Sequence, residues 1–179
     1  MMLSLNLMGT IDQDYIIVRG IRIGEGDISI KEFDKDFKII SFYNDNKFYN
    51  NVSSKNPTFC EAIEFIAKDE TDLILYDYNN WNCAHYAEMV HNNAEAKGIR
   101  CGFVTIEYEN TRIGHAINVF NTTDRGMIFI DCTGKNRYHG YMMDKLVNVE
   151  LNENFSGVYL DDCFTFDNNK KIVDVNIYF

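Results

Sequence analysis

Residues 101–131 read CGFVTIEYENTRIGHAINVFNTTDRGMIFID, and their hydrophobic pattern decides the fold. Apolar and polar residues alternate over 101–108, 114–120 and 127–131, with turn-forming residues at 109–112 and 121–126 between them. A period of two marks strands that bury one face, so three antiparallel strands in a meander are expected. Just upstream the period changes to that of a helix: Cys83, Ala87, Val90 and Ala94 recur on one stripe, and Gly98 stands where a C-terminal cap belongs. The expected fold is therefore α+β, an antiparallel meander packed against a helix whose first residue is a cysteine.

Outward from this segment the pattern is thinner. Pro57 suits a first helical position, and Ala62, Ile63, Phe65 and Ile66 continue at helical spacing. Residues 76–82 form a loop of asparagines and aromatics. Residues 15–49 suggest short strands and turns, 171–179 alternate well enough for a closing strand, and a short helix is expected over 141–147. With one proline, no Ser/Gly-rich linker and no repeat, 1–179 are expected to form a single domain. Its core would be about residues 57–135, with the β-rich 1–56 and the final strand as extensions.

A chain of 179 residues with 46% hydrophobic content is long and apolar enough for a sizeable core. Its 27 acidic and 17 basic residues leave a formal charge of −10, which repels phosphate backbones and anionic membrane surfaces; neither nucleic acid nor membrane is an expected partner. No stretch approaches the ~20 apolar residues that span a bilayer, and the first residues lack a signal-peptide pattern, so a cytoplasmic location is expected. Five cysteines at irregular spacings argue against a disulfide framework.

A thiol becomes a nucleophile when its pKa falls, and the first turn of a helix lowers it through unpaired N–H groups and the positive end of the macrodipole. Cys83 occupies that place, with Asn80 or Asn82 as N-cap and no acidic side chain within four residues. Aligning Phe120 opposite Gly126 in the hairpin sets Val119 against Met127, Ile117 against Phe129 and His115 against Asp131. His115 and Asp131 then share an otherwise apolar face. They form a self-satisfied buried pair or, since the helix is expected to lay its apolar stripe on this same face with its N-terminus able to approach His115, the base and orienting carboxylate for Cys83.

These residues carry a resemblance. Cys83, Tyr86 and Ala87 match a C-x-x-aromatic-A motif, His115 and Ala116 a His-Ala on a strand, and Asp131 and Thr133 a D-x-T at the end of the next. In this order they resemble the core of the transglutaminase-like superfamily, relatives of papain-like cysteine peptidases, over roughly residues 78–133. The chain departs from the family where Trp81 replaces a frequent glycine and Cys132 a frequent proline. The resemblance implies a papain/transglutaminase-like core and a cysteine hydrolase or acyltransferase acting on amide or isopeptide bonds of a peptide or protein, without a cofactor. The oxyanion would be met by the backbone N–H of Cys83 and a side chain from Asn79, Asn80 or Trp81.

Other residues have plainer explanations. Cys83 and His85 form a C-x-H pair, but two residues apart on a helix they point to different sides, and no second ligand pair follows, so no metal is expected. His91 and His139 read as surface residues, Cys101 as a buried strand residue, and Cys132 as packing behind the site. The alternatives to an enzyme are a non-catalytic protein- or peptide-binding module of the same fold, and a redox thiol protein, which lacks a C-x-x-C or a resolving cysteine.

Overall fold

The structure is a computed structural model and describes residues 48–78, 80–134, 143–161 and 163–179, with the backbone of 11–12, 15–16, 38–42 and 46–47. Two short hairpins come first: β1 (Ile11–Asp12) pairs with β2 (Tyr15–Ile16), and β3 (Lys38–Phe42) with β4 (Asn46–Tyr49). Helix α1 (Phe59–Ile66) follows, started by a capping box between Thr58 and Glu61. Pro57 thus precedes the cap instead of opening the helix, because the Thr58 hydroxyl takes the free N–H of the first turn. Helix α2 (Cys83–Ala96) is capped by Asn82 and ends at Lys97, with Gly98 in the left-handed region at φ +76.

The remainder is a six-stranded antiparallel sheet, making the fold mixed α+β. Its strands are β5 (Gly102–Tyr108), β6 (His115–Thr122), β7 (Gly126–Asp131), β8 (Lys145–Asn148), β9 (Asn154–Tyr159) and β10 (Thr165–Tyr178). Each pairs with the next, and β10 pairs with β9 through its first half and with β5 through its second, so the sheet coils back on itself. A bulge at Val173 makes this possible for the side chains: it shifts the alternation so that Ile172, Val175 and Ile177 all join the same apolar cluster. Among the described residues, no helix is long and apolar enough to cross a membrane.

The two faces of the meander bury different things. Val104, Ile106, Ile117, Val119 and Phe129 turn inward to meet Val147, Phe155 and Ile172. Phe120, Ile128, Ile130 and Cys132 turn outward against Ala62, Phe65 and Ile66 of α1 and Val90 and Ala94 of α2. The helix was expected on the face that carries His115 and Asp131. It packs on the other one, because the outward residues of β6 and β7 are as apolar as the inward ones and period alone does not say which face a helix covers.

The hairpin register also differs from expectation. Thr122 pairs with Gly126 and Val119 with Phe129, a slide of two residues. Gly126 at φ +73 closes a tight loop over 123–125, and the Thr122 hydroxyl donates to the Gly126 carbonyl at 2.7 Å, which carries both strands two residues further toward the turn. A slide of two preserves parity, so His115 and Asp131 keep a common face but meet diagonally. The helix expected over 141–147 is not found where the chain is described: Lys145–Asn148 is a strand that alternates Lys145 and Val147 inward. Residues 141 and 142 lie outside the described residues.

Helix and sheet are tied by Asn118, a buried side chain whose amide donates to the Ala87 carbonyl at 2.8 Å and to the Gly102 carbonyl at 3.3 Å. Asn118→Ala is expected to cost about 1–3 kcal/mol in a denaturant titration, through loss of this bond between α2 and the sheet. A change below about 0.5 kcal/mol would show that the tie contributes little.

Candidate active site

The site forms at the rim of the coiled sheet, where the start of α2 meets the start of β6. Asn82 fixes the thiol's position: its side chain accepts from the Ala84 N–H at 3.1 Å, and its own N–H donates to Nδ1 of His85 at 3.2 Å. Cys83 then packs partly buried beside Ala116 and Phe103 on the outer face. The His115 imidazole and the Ala116 N–H lie close enough to its sulfur to lower the thiol against the effect of burial.

His115, the first residue of β6, lies on the inner face, its ring edge-on to Phe155 at 5.4 Å between centroids. It begins its strand, and its imidazole is close enough to the thiol for each to shift the other. Its Nε2 is 3.0 Å from Oδ2 of Asp131. The Asp131 Oδ1 accepts from the Thr133 N–H at 2.8 Å. Of the three residues singled out by sequence, His115 and Asp131 share a hydrogen bond and Cys83 lies beside His115, through a different packing from the one expected.

Burial dominates the Asp131 environment and works against its charge, yet the Lys145 ammonium and the His115 imidazole together hold its carboxyl far below the ordinary range. For His115 burial again opposes the charged form, and Asp131 and Cys83 overcome it, raising the imidazole to about 10. Burial also opposes ionisation of Cys83, but the hydrogen bond and charge of His115 with the Ala116 N–H leave the thiol lowered from its ordinary value. His115 binds its proton more tightly when folded, so its stabilisation is complete below its ordinary value of 6.5 and lost as pH rises through about 10. Asp131 acts in the opposite sense, present above its ordinary 3.8 and lost on acidification.

Of the side chains proposed to meet an oxyanion, Asn80 is committed elsewhere, its amide donating to Oδ2 of Asp77 at 2.7 Å. Asn79 lies outside the described residues. Trp81 stacks on His85 with centroids 5.4 Å apart and stands edge-on to Tyr86, and its indole N–H is buried without a partner. Tyr76, stacked on Tyr86, is near enough for the Cys83 charge to help burial raise its phenol.

The other cysteines are chemically distinct. Burial pushes Cys101 and Cys132 well above the ordinary thiol, and Cys132 faces the Asp144 carboxyl behind the site. Cys60 and Cys163 are exposed. His91, expected at the surface, is 2% exposed: Nε2 is 2.7 Å from Oδ1 of Asn50 and the ring packs edge-on to Phe48, because it follows Ala87 by one helical turn on the face that meets β4. His139 lies outside the described residues. Sequence missed Lys145, Phe155 and Tyr108, the last close enough to Asp131 and Cys83 to feel both charges. For Lys145 the available signal was the Lys-x-Val alternation over 145–147, a strand period carrying one cation on an inward face.

No family model, curated protein or solved structure matches the chain.

Proposed function

We propose that the chain is a thiol hydrolase or acyltransferase with a transglutaminase-like core, acting on amide or isopeptide bonds of peptides or proteins in a reducing compartment such as the cytoplasm. One observation supports this: an imidazole 3.0 Å from the Asp131 carboxylate lies close enough to the Cys83 thiol to lower it. The Cys83 thiolate attacks the carbonyl carbon, a C–S bond forms, and the carbonyl electron pair moves to oxygen. That oxygen is met by the Cys83 backbone N–H at the start of α2. As the C–N bond breaks, the His115 imidazolium gives its proton to the leaving nitrogen, and an acyl-thioenzyme remains. The neutral imidazole next takes a proton from water or an amine, which attacks the thioester and releases Cys83. Asp131 holds Nε2 in its protonated form, so that Nδ1 is the nitrogen that exchanges protons with the sulfur.

The test is covalent labelling by an electrophilic peptide amide or glutamine-mimic probe, with the modified residue located by mass spectrometry. Modification at Cys83 ahead of the exposed Cys60 and Cys163 is expected. Modification spread over the exposed cysteines and absent from Cys83 would favour the binding-module alternative.

A further inference from the structure

Lys145 is a buried cation that the mechanism above does not use. Its side chain is 8% exposed, and β8 pairs it directly with Asp131. Its ammonium lies 3.2 Å from Oδ2 of Asp131, and it donates to the Asp131 carbonyl at 3.2 Å and the Thr133 carbonyl at 3.3 Å. Three acceptors on one short turn match three N–H bonds, so no donor is left over to meet a substrate. Such a group is neither nucleophile nor general acid. It grips the turn that presents the carboxylate.

We propose that Lys145 is a positioning residue of this site, fixing the Asp131 carboxylate toward His115 and setting the pH range in which Cys83 and His115 stand as thiolate and imidazolium. The proposal rests on the catalytic assignment above. Sulfur, imidazole, carboxylate and ammonium make a chain of alternating charge that sums to zero, which a partly buried rim tolerates better than an unbalanced anion. Without Lys145, the Asp131 charge would act on His115 without a competing cation, and the imidazolium would hold its proton more firmly. The leaving nitrogen would then be harder to protonate. Other titratable groups face this chain: Tyr108 from β5, Tyr159 from β9 with its ring 5.9 Å from the ammonium, Tyr76 beside Cys83, and Asp144 and Cys132 on the side of the helices.

Removing a positive charge raises the proton affinity of every neighbour. In Lys145→Gln, which keeps an amide donor but no charge, the iodoacetamide reaction of Cys83 should show both inflections moved to higher pH. These are the one where the thiol ionises and the one where the imidazolium is lost, each displaced by on the order of one unit. Lys145→Arg, which keeps the charge, should restore the profile to within about 0.3 unit. Lys145→Met serves if the glutamine variant does not fold. Inflections that stay in place in a folded neutral variant overturn the proposal, as does failure of both neutral variants to fold while Lys145→Arg is normal, since Lys145 would then be a structural counter-ion. A wild-type Cys83 with a single inflection at the alkaline value of a free thiol would instead overturn the catalytic assignment itself.

Discussion

Cys83→Ala is expected to abolish covalent labelling by an electrophilic amide probe while leaving the thermal transition within a few degrees of wild type. The sulfur sits at the first position of α2 and packs only partly against Ala116 and Phe103, so its removal opens little cavity. No other cysteine can replace it. Cys101 and Cys132 are buried thiols pushed well above their ordinary pKa, and the fully exposed positions of Cys60 and Cys163 lack an imidazole partner in the hydrogen bonds described. Undiminished labelling in the alanine variant would place the reactive group elsewhere.

Asp131→Asn is expected to stay folded and to lose labelling rate by on the order of 10³–10⁴, as tautomer-inverting changes do in related triads. In the proposed reaction the carboxylate at 3.0 Å keeps the proton on Nε2 of His115, so that Nδ1 is the nitrogen that exchanges protons with the sulfur. An asparagine amide turned toward Nε2 reverses this. Nδ1 then carries the proton and the thiol is not ionised. His115→Ala should lower the rate further still, so the order wild type, Asp131→Asn, His115→Ala, measured as pseudo-first-order labelling rates, checks the role of each. An Asp131→Asn rate equal to wild type beside a dead His115→Ala would mean that some other group orients the imidazole.

The meander and α2 were legible because each carries a clean period: two over 102–108 and 115–131, close to four from Cys83 to Ala94. The shared face of His115 and Asp131 was legible for the same reason, since parity survives a slide of two residues. The exact register was not, because it is set by Gly126 and the Thr122 hydroxyl, and a hairpin loop of three residues and one of five look alike in composition. Which face α2 covers was not legible either, both faces of β6 and β7 being apolar in a sheet that coils on itself. Lys145 escaped notice because its strand is short and its meaning depends on Asp131, a partner in another strand. The capping of α1 by Thr58 lay in view, as Thr and Glu three residues apart, and was obscured by the adjacent Pro57.

The central claim is that Cys83 and His115 form a thiolate–imidazolium pair, and the pH dependence of iodoacetamide alkylation, resolved by mass mapping over all five cysteines, tests it most directly. Cys83 is expected to react fastest near pH 6, with a midpoint below the ~8.5 of a free thiol, ahead of the exposed Cys60 and Cys163 and far ahead of Cys101 and Cys132. A Cys83 that ionises alongside the exposed thiols, or reacts most slowly of the five, would contradict the pair and the chemistry built on it.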